Sequence, residues 1–158
     1  MGRVPIAFEL VAGQDLRGHG DLLLQLGTYR HTFDSCYLAE GCNTDVPAEE
    51  IVAEAVGSLL DQWVARLERL SPEDAAFLPF DLSDQCSAWL LVDNTGAGPV
   101  VVEAGWSLIE GWSFDPRDVM ASRMPDDFRP IDGAKVECHL PDLIATLREL
   151  REALAPRH

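Results

Sequence analysis

The side chains best suited to chemistry fall in one short stretch of this chain: His31, Cys36, Glu40 and Cys42. Imidazole, thiolate and carboxylate are all zinc ligands, so a metal centre is the first chemistry to weigh. The spacing His-x4-Cys-x5-Cys matches no closed zinc knuckle, and a fourth ligand would have to come from far along the chain. Cys138 and His139 offer one, but neighbouring residues of a strand point to opposite faces and would not both reach the same ion. Small thiols buried in a core are the simpler account. We therefore expect no metal. Nor do we expect another cofactor, because the glycines form neither Gly-x-Gly-x-x-Gly nor a phosphate-cradling loop.

A nucleophilic serine or cysteine needs a base within reach and donors for an oxyanion. The chain has four histidines, one of them the terminal His158, and no Gly-x-Ser-x-Gly elbow; Gly105-Trp106-Ser107 runs on to Leu108 and Ile109. With 27 acidic residues, carboxylate pairs arise everywhere and none stands out. Glu110 is the exception, since it interrupts an apolar alternation between Leu108 and Trp112. Buried there it could act as an acid or base. A bulge at Gly111, or a strand end already in solvent, is the simpler reading. No catalytic residue is assigned, and a non-enzymatic role is expected over an enzymatic one.

The elements that must position these residues centre on a hairpin over 87–94 and 100–114. Two runs rich in β-branched and aromatic residues flank an Asn-Thr-Gly-Ala-Gly turn. Val100, Val102, Ala104, Trp106, Leu108, Trp112 and Phe114 share one parity, as a half-buried antiparallel strand requires. Earlier, 4–11 reads as a strand with Ile6, Phe8 and Leu10 on one face, and 21–33 as a second strand bent near Gly27. The segment 34–44 reads as loop. From 47 to 70 the period becomes helical, with Val52, Val56, Leu59, Trp63, Leu67 and Leu70 forming the stripe. Asp45 can cap this helix, Pro47 suits its first turn, and Glu49 and Glu50 suit the positive end of its dipole.

A short strand over 77–83, interrupted at Pro79, precedes the hairpin. After it come a helical turn from Asp115, a loop to Asp132, a strand over 134–140 and a helix over 141–154. The expected fold is α+β: an antiparallel β-sheet of hairpins with two main helices packed on one face. It would form a single domain over 1–158, frayed at 155–158. Trp63, Leu59, Val56, Trp106, Leu108, Leu147 and Leu150 are expected in the core. Among the tryptophans of the hairpin, Trp112 is the one expected to be exposed.

Charge is the outstanding compositional feature. Twelve basic against 27 acidic residues leave −15. Between Arg30 and Arg66 there is no base, while Asp34, Glu40, Asp45, Glu49, Glu50, Glu54 and Asp61 lie there. Such a field repels nucleic acid and anionic membrane and attracts a basic protein. Acidity also keeps a protein soluble, which is the plainer account of it. No apolar run approaches the ~20 residues needed to span a bilayer. The first apolar run contains Glu9 and lacks a small-residue cleavage site, so it reads as a strand and not a signal peptide. A cytoplasmic protein with reduced cysteines is expected.

Size, acidity, the α+β pattern and the lack of catalytic signatures together resemble, in type, the small acidic immunity proteins of bacterial toxin systems. That resemblance implies a cytosolic single domain that neutralises a co-produced toxin by covering its active site. It rests on no motif, so no family residue is carried over. One lysine against eleven arginines, with abundant alanine, agrees with a GC-rich bacterial genome. The expected partner is a basic protein, such as a toxin. It would be met by Asp34, Glu40, Asp45, Glu49, Glu50 and Glu54, with Trp112 and Asp115. A small enzyme with a site assembled from scattered residues, and a homo-oligomeric structural or regulatory protein, remain the rival readings.

Overall fold

The computed structural model describes residues 4–10, 22–33, 48–83, 85–96, 98–115, 118–119 and 124–154, with the side chains of 48 and 49 excepted. Strands β1 (Ile6–Leu10), β2 (Leu22–Leu26) and β3 (Tyr29–Phe33) form a three-stranded antiparallel meander. Helix α1 (Ala48–Glu68) follows. Strands β4 (Ala75–Leu82), β5 (Ser87–Asn94), β6 (Val100–Ser107) and β7 (Arg129–Cys138) then form a four-stranded meander, and helix α2 (Leu140–Ala153) comes last. The α+β class and the antiparallel pairing agree with the periodicities. The strands divide between two sheets, which no local pattern announces.

Four boundaries differ from the sequence reading, each for a local reason. The segment 21–33 is a hairpin and not one bent strand. Leu26 pairs with Tyr29 across a two-residue turn, and Gly27 takes φ +61°. Glycine at the first turn position with positive φ suits the right-handed twist of the flanking strands. β4 runs through Pro79, which an edge strand tolerates because one row of its amides is unpaired. β7 likewise begins at Arg129 and includes Pro130 on the opposite edge, five residues before the expected start. Lastly, β6 ends at Ser107, and a single 3-10 turn occupies Gly111–Ser113, where the strand was expected to continue.

α1 bridges the two sheets. Its Trp63 is fully buried, lies edge-on to Phe8 of β1 at 5.9 Å, and donates its indole N–H to the Pro79 carbonyl of β4 at 3.1 Å. α2 packs on α1, with Arg151 against Gly57 and paired with Asp61 at 3.2 Å. Its Thr146 hydroxyl accepts the Val4 amide beside β1. Of the expected core, Trp63, Leu59, Val56 and Leu147 are buried. Leu150 and Trp106 are only partly buried against that core. Leu108 is 74% exposed, a correction taken up below.

Candidate functional site

His31 is the one member of the metal stretch within the described residues; Cys36, Glu40 and Cys42 lie outside them. On β3 the alternate residues Tyr29, His31 and Phe33 share a face, with their rings stacked at 6.2 and 5.7 Å. Phe80 of β4 and Trp106 of β6 meet the imidazole edge-on at 5.8 and 5.3 Å. In the middle of these rings His31 Nε2 lies 2.8 Å from Asp81 Oδ2.

Asp81 arrives there through a register shift. Pro79 pairs with Trp89 and Asp81 with Ala88, so Phe80 is an extra residue and both Phe80 and Asp81 turn inward. The carboxylate is 4% exposed and takes a second bond at Oδ1 from the Ser83 hydroxyl, at 3.0 Å. A carboxylate accepts, so the tautomer that fits this contact has Nε2–H as the donor. Burial first, and the Asp81 charge second, push the Tyr29 hydroxyl and the Cys86 thiol above their ordinary pKa values. Serine, acid and histidine are thus together, but in the wrong order for acyl transfer. Ser83 and His31 both donate to the carboxylate, and no base receives the serine proton. The cluster instead ties β3 of one sheet to β4 of the other.

A second polar knot explains why β6 stops. Trp89 Nε1–H donates to Ser87 Oγ at 2.8 Å, and the Ser87 hydroxyl donates to the Ile109 carbonyl at 2.8 Å. The Ile109 amide turns back to Ser107 Oγ at 3.1 Å. Ser107 Oγ and the Leu108 amide donate to the two oxygens of Asp127, at 2.6 and 2.8 Å. The Ser107 hydrogen bond first, and the Leu108 amide second, hold the Asp127 carboxyl below the usual carboxylate range. Spent on these bonds, the chain at 108–109 no longer pairs as a strand, and Leu108 is turned out to solvent. Glu110 is exposed just before the 3-10 turn, so its break in the apolar alternation marks the end of the strand and not a buried acid.

Beside this knot lies a cleft of about 250 Å³ lined by Cys86, Trp106, Ser107, Leu108, Asp127 and Arg129. Among the described residues, the large apolar side chains left exposed are Leu108 (74%), Trp112 (60%) and Met124 (53%), all in the β6–β7 connection. The expected exposure of Trp112 is met; Leu108, expected in the core because it shares the parity of β6, is exposed instead, and Met124 lies in the stretch read as loop, where nothing singled it out.

Of the acidic residues proposed for partner binding, Asp34, Glu40 and Asp45 lie outside the described residues, as does the Glu49 side chain. Glu50 and Glu54 are exposed on α1, and Asp115 is exposed in the β6–β7 connection. That connection reaches α1, where the Val119 amide donates to Gln62 Oε1 at 2.7 Å. Glu54, Ser58 and Gln62 follow one another at spacing four along one stripe of the helix. No group of three or more His, Cys, Asp or Glu that could hold a metal ion occurs among the described residues. Among them, too, no helix is long and apolar enough to cross a membrane.

No family model matches the chain, and no curated protein matches it. In fold it is similar to a chain of the CdiA-CT/CdiI toxin and immunity complex from Enterobacter cloacae. The TM-score is 0.50 at 14% identity, over 93% of this chain and 99% of that one. At that identity the likeness is one of fold.

Proposed function

We propose that the protein is an acidic protein-binding module of the immunity type, which neutralises a basic toxin by covering its active site. What supports this is one coincidence: a net charge of −15 on a fold similar to a chain of a toxin and immunity complex. Of the two roles that complex comprises, the acidic chain is suited to the inhibitor of a positively charged cleft. The protein acts in the cytoplasm as one domain, without cofactor. Its acidic residues Asp34, Glu40, Asp45, Glu49, Glu50 and Glu54, with Trp112 and Asp115, face the partner.

Complementary charge chiefly raises the association rate, and salt screens it over a Debye length of about 8–10 Å. The test is stopped-flow association with the purified basic toxin domain encoded beside this chain in its native genome. Reversing Asp45, Glu49 and Glu50 to lysine should slow association at low salt and lower the melting temperature only by the several degrees that a helix cap and two dipole-facing acids contribute. Equal association rates for wild type and variant would refute the acidic-surface reading.

A further inference from the structure

Resting on that reading, we infer that Leu108, Trp112 and Met124 with the cleft beside Leu108 form the docking face, and that they seat an apolar side chain of a basic protein partner. Acidic residues alone do not hold a partner, because exposed ion pairs contribute only about 0–1 kcal/mol each. A stable interface needs an apolar anchor at its centre, ringed by polar groups. In the described residues, Leu108, Trp112 and Met124 supply the exposed apolar area. All three belong to the segment between β6 and β7. Trp112 is four residues from Leu108, the Leu108 amide is held by Asp127, and Met124 is three residues from Asp127, a reach of at most ~11 Å.

The cleft beneath is walled by the half-buried Trp106 ring and Leu108, a volume suited to one large side chain. Its shape is set in advance. The hydrogen bonds of Ser107, Leu108 and Asp127 fix the rim, and the Trp106 ring rests on His31. Preorganisation of this kind lowers the ordering cost of association. Charge selects the occupant. From 108 to 129 the chain carries five acids (Glu110, Asp115, Asp118, Asp126, Asp127) against three bases (Arg117, Arg123, Arg129), of which Arg129 lines the cleft, so the balance stays acidic. An anchor flanked by lysine or arginine therefore fits where one flanked by acids is repelled.

The experiment is calorimetric titration of the full chain with the co-encoded basic toxin domain, using wild type, Leu108→Asp, Trp112→Ala and Asp93→Lys. Asp93 is exposed near the far end of the β5–β6 hairpin, ~20 Å of strand from Leu108. Leu108→Asp and Trp112→Ala should each weaken binding at least tenfold, and Asp93→Lys less than threefold. Both docking-face side chains are exposed, so the thermal unfolding midpoints of these variants should match wild type. On binding, Trp112 fluorescence should lose its access to acrylamide quenching. If wild type binds and both docking-face variants bind within twofold of it, this face is wrong while the proposed function stands. If wild type does not bind the toxin domain, the proposed function falls and this face with it. Sedimentation equilibrium covers the remaining occupant: a dimer of the free chain that Leu108→Asp dissociates would assign the face to a second copy and overturn the proposal.

Discussion

Replacing His31 by phenylalanine isolates the contact that joins the two sheets. The ring keeps its place among Tyr29, Phe33, Phe80 and Trp106, so packing changes little. Asp81 meanwhile loses its 2.8 Å donor and keeps only the Ser83 hydroxyl. Removing the donor of a buried acceptor costs about 1–3 kcal/mol, because the acceptor is left desolvated and unsatisfied. The Asp81 side chain is nearly inaccessible, which places the expected loss near the upper end, about 3 kcal/mol. For a chain of this size that is a fall in melting temperature of about 6–12 °C. Replacing both partners, His31→Phe with Asp81→Leu, removes the stranded charge, and such double replacements are often close to neutral. The double variant should therefore be more stable than His31→Phe alone. Urea unfolding followed by tryptophan fluorescence measures all the corners of the cycle, with a common m-value as the check on the two-state treatment. A loss below ~0.5 kcal/mol for His31→Phe, or single losses that simply add in the double variant, would refute the buried inter-sheet pair.

Gly111 lies so close to β4 that an added Cβ would fall 2.4 Å from the Ser83 backbone. Gly111→Ala should therefore destabilise by about 1–3 kcal/mol in the same titration, the range for overpacking, and a neutral result would contradict that close approach. Trp63→Phe strips the donor from the buried Pro79 carbonyl and should cost about 1–3 kcal/mol, with the buried indole signal lost from the spectrum. Trp106→Ala should cost only ~2 kcal/mol, below the ~3–5 kcal/mol of a fully buried tryptophan, because its ring is only partly buried. Burial pushes the Cys138 thiol up to about 11 from 9.0, with the Asp142 charge adding to it. A raised folded-state pKa is stabilising below the unfolded value and lost as pH rises through the folded one, so stability should fall between pH 9 and 11. Two pK units amount to about 2.7 kcal/mol, which solvent screening at this part-exposed group reduces to ~1 kcal/mol. Cys138→Ala should flatten that part of the pH–melting curve.

The sequence by itself determined the local periods and hence the class of fold. The stripe from Val52 to Leu70 specifies α1 within two residues at each end, and the alternation Val100, Val102, Ala104 specifies the inner face of β6. Both signals are local, because they express which residues of one element face the same side. The charge of −15 is equally legible, and with it the expectation of a basic partner. What tertiary structure alone decided depends on pairing between distant segments. The β6–β7 register shifts between Glu103 and Gly105, and past it Trp106 is only partly buried while Ser107 is buried, the reverse of what the alternation implies. Asp127, twenty residues further on, captures Ser107 and the Leu108 amide and turns Leu108 outward. His31 and Asp81 are fifty residues apart and meet only because two meanders face one another. Periodicity carries no information about which distant donor will end a strand. An apolar residue therefore looks the same in sequence whether it finishes in the core or at the rim of a cleft.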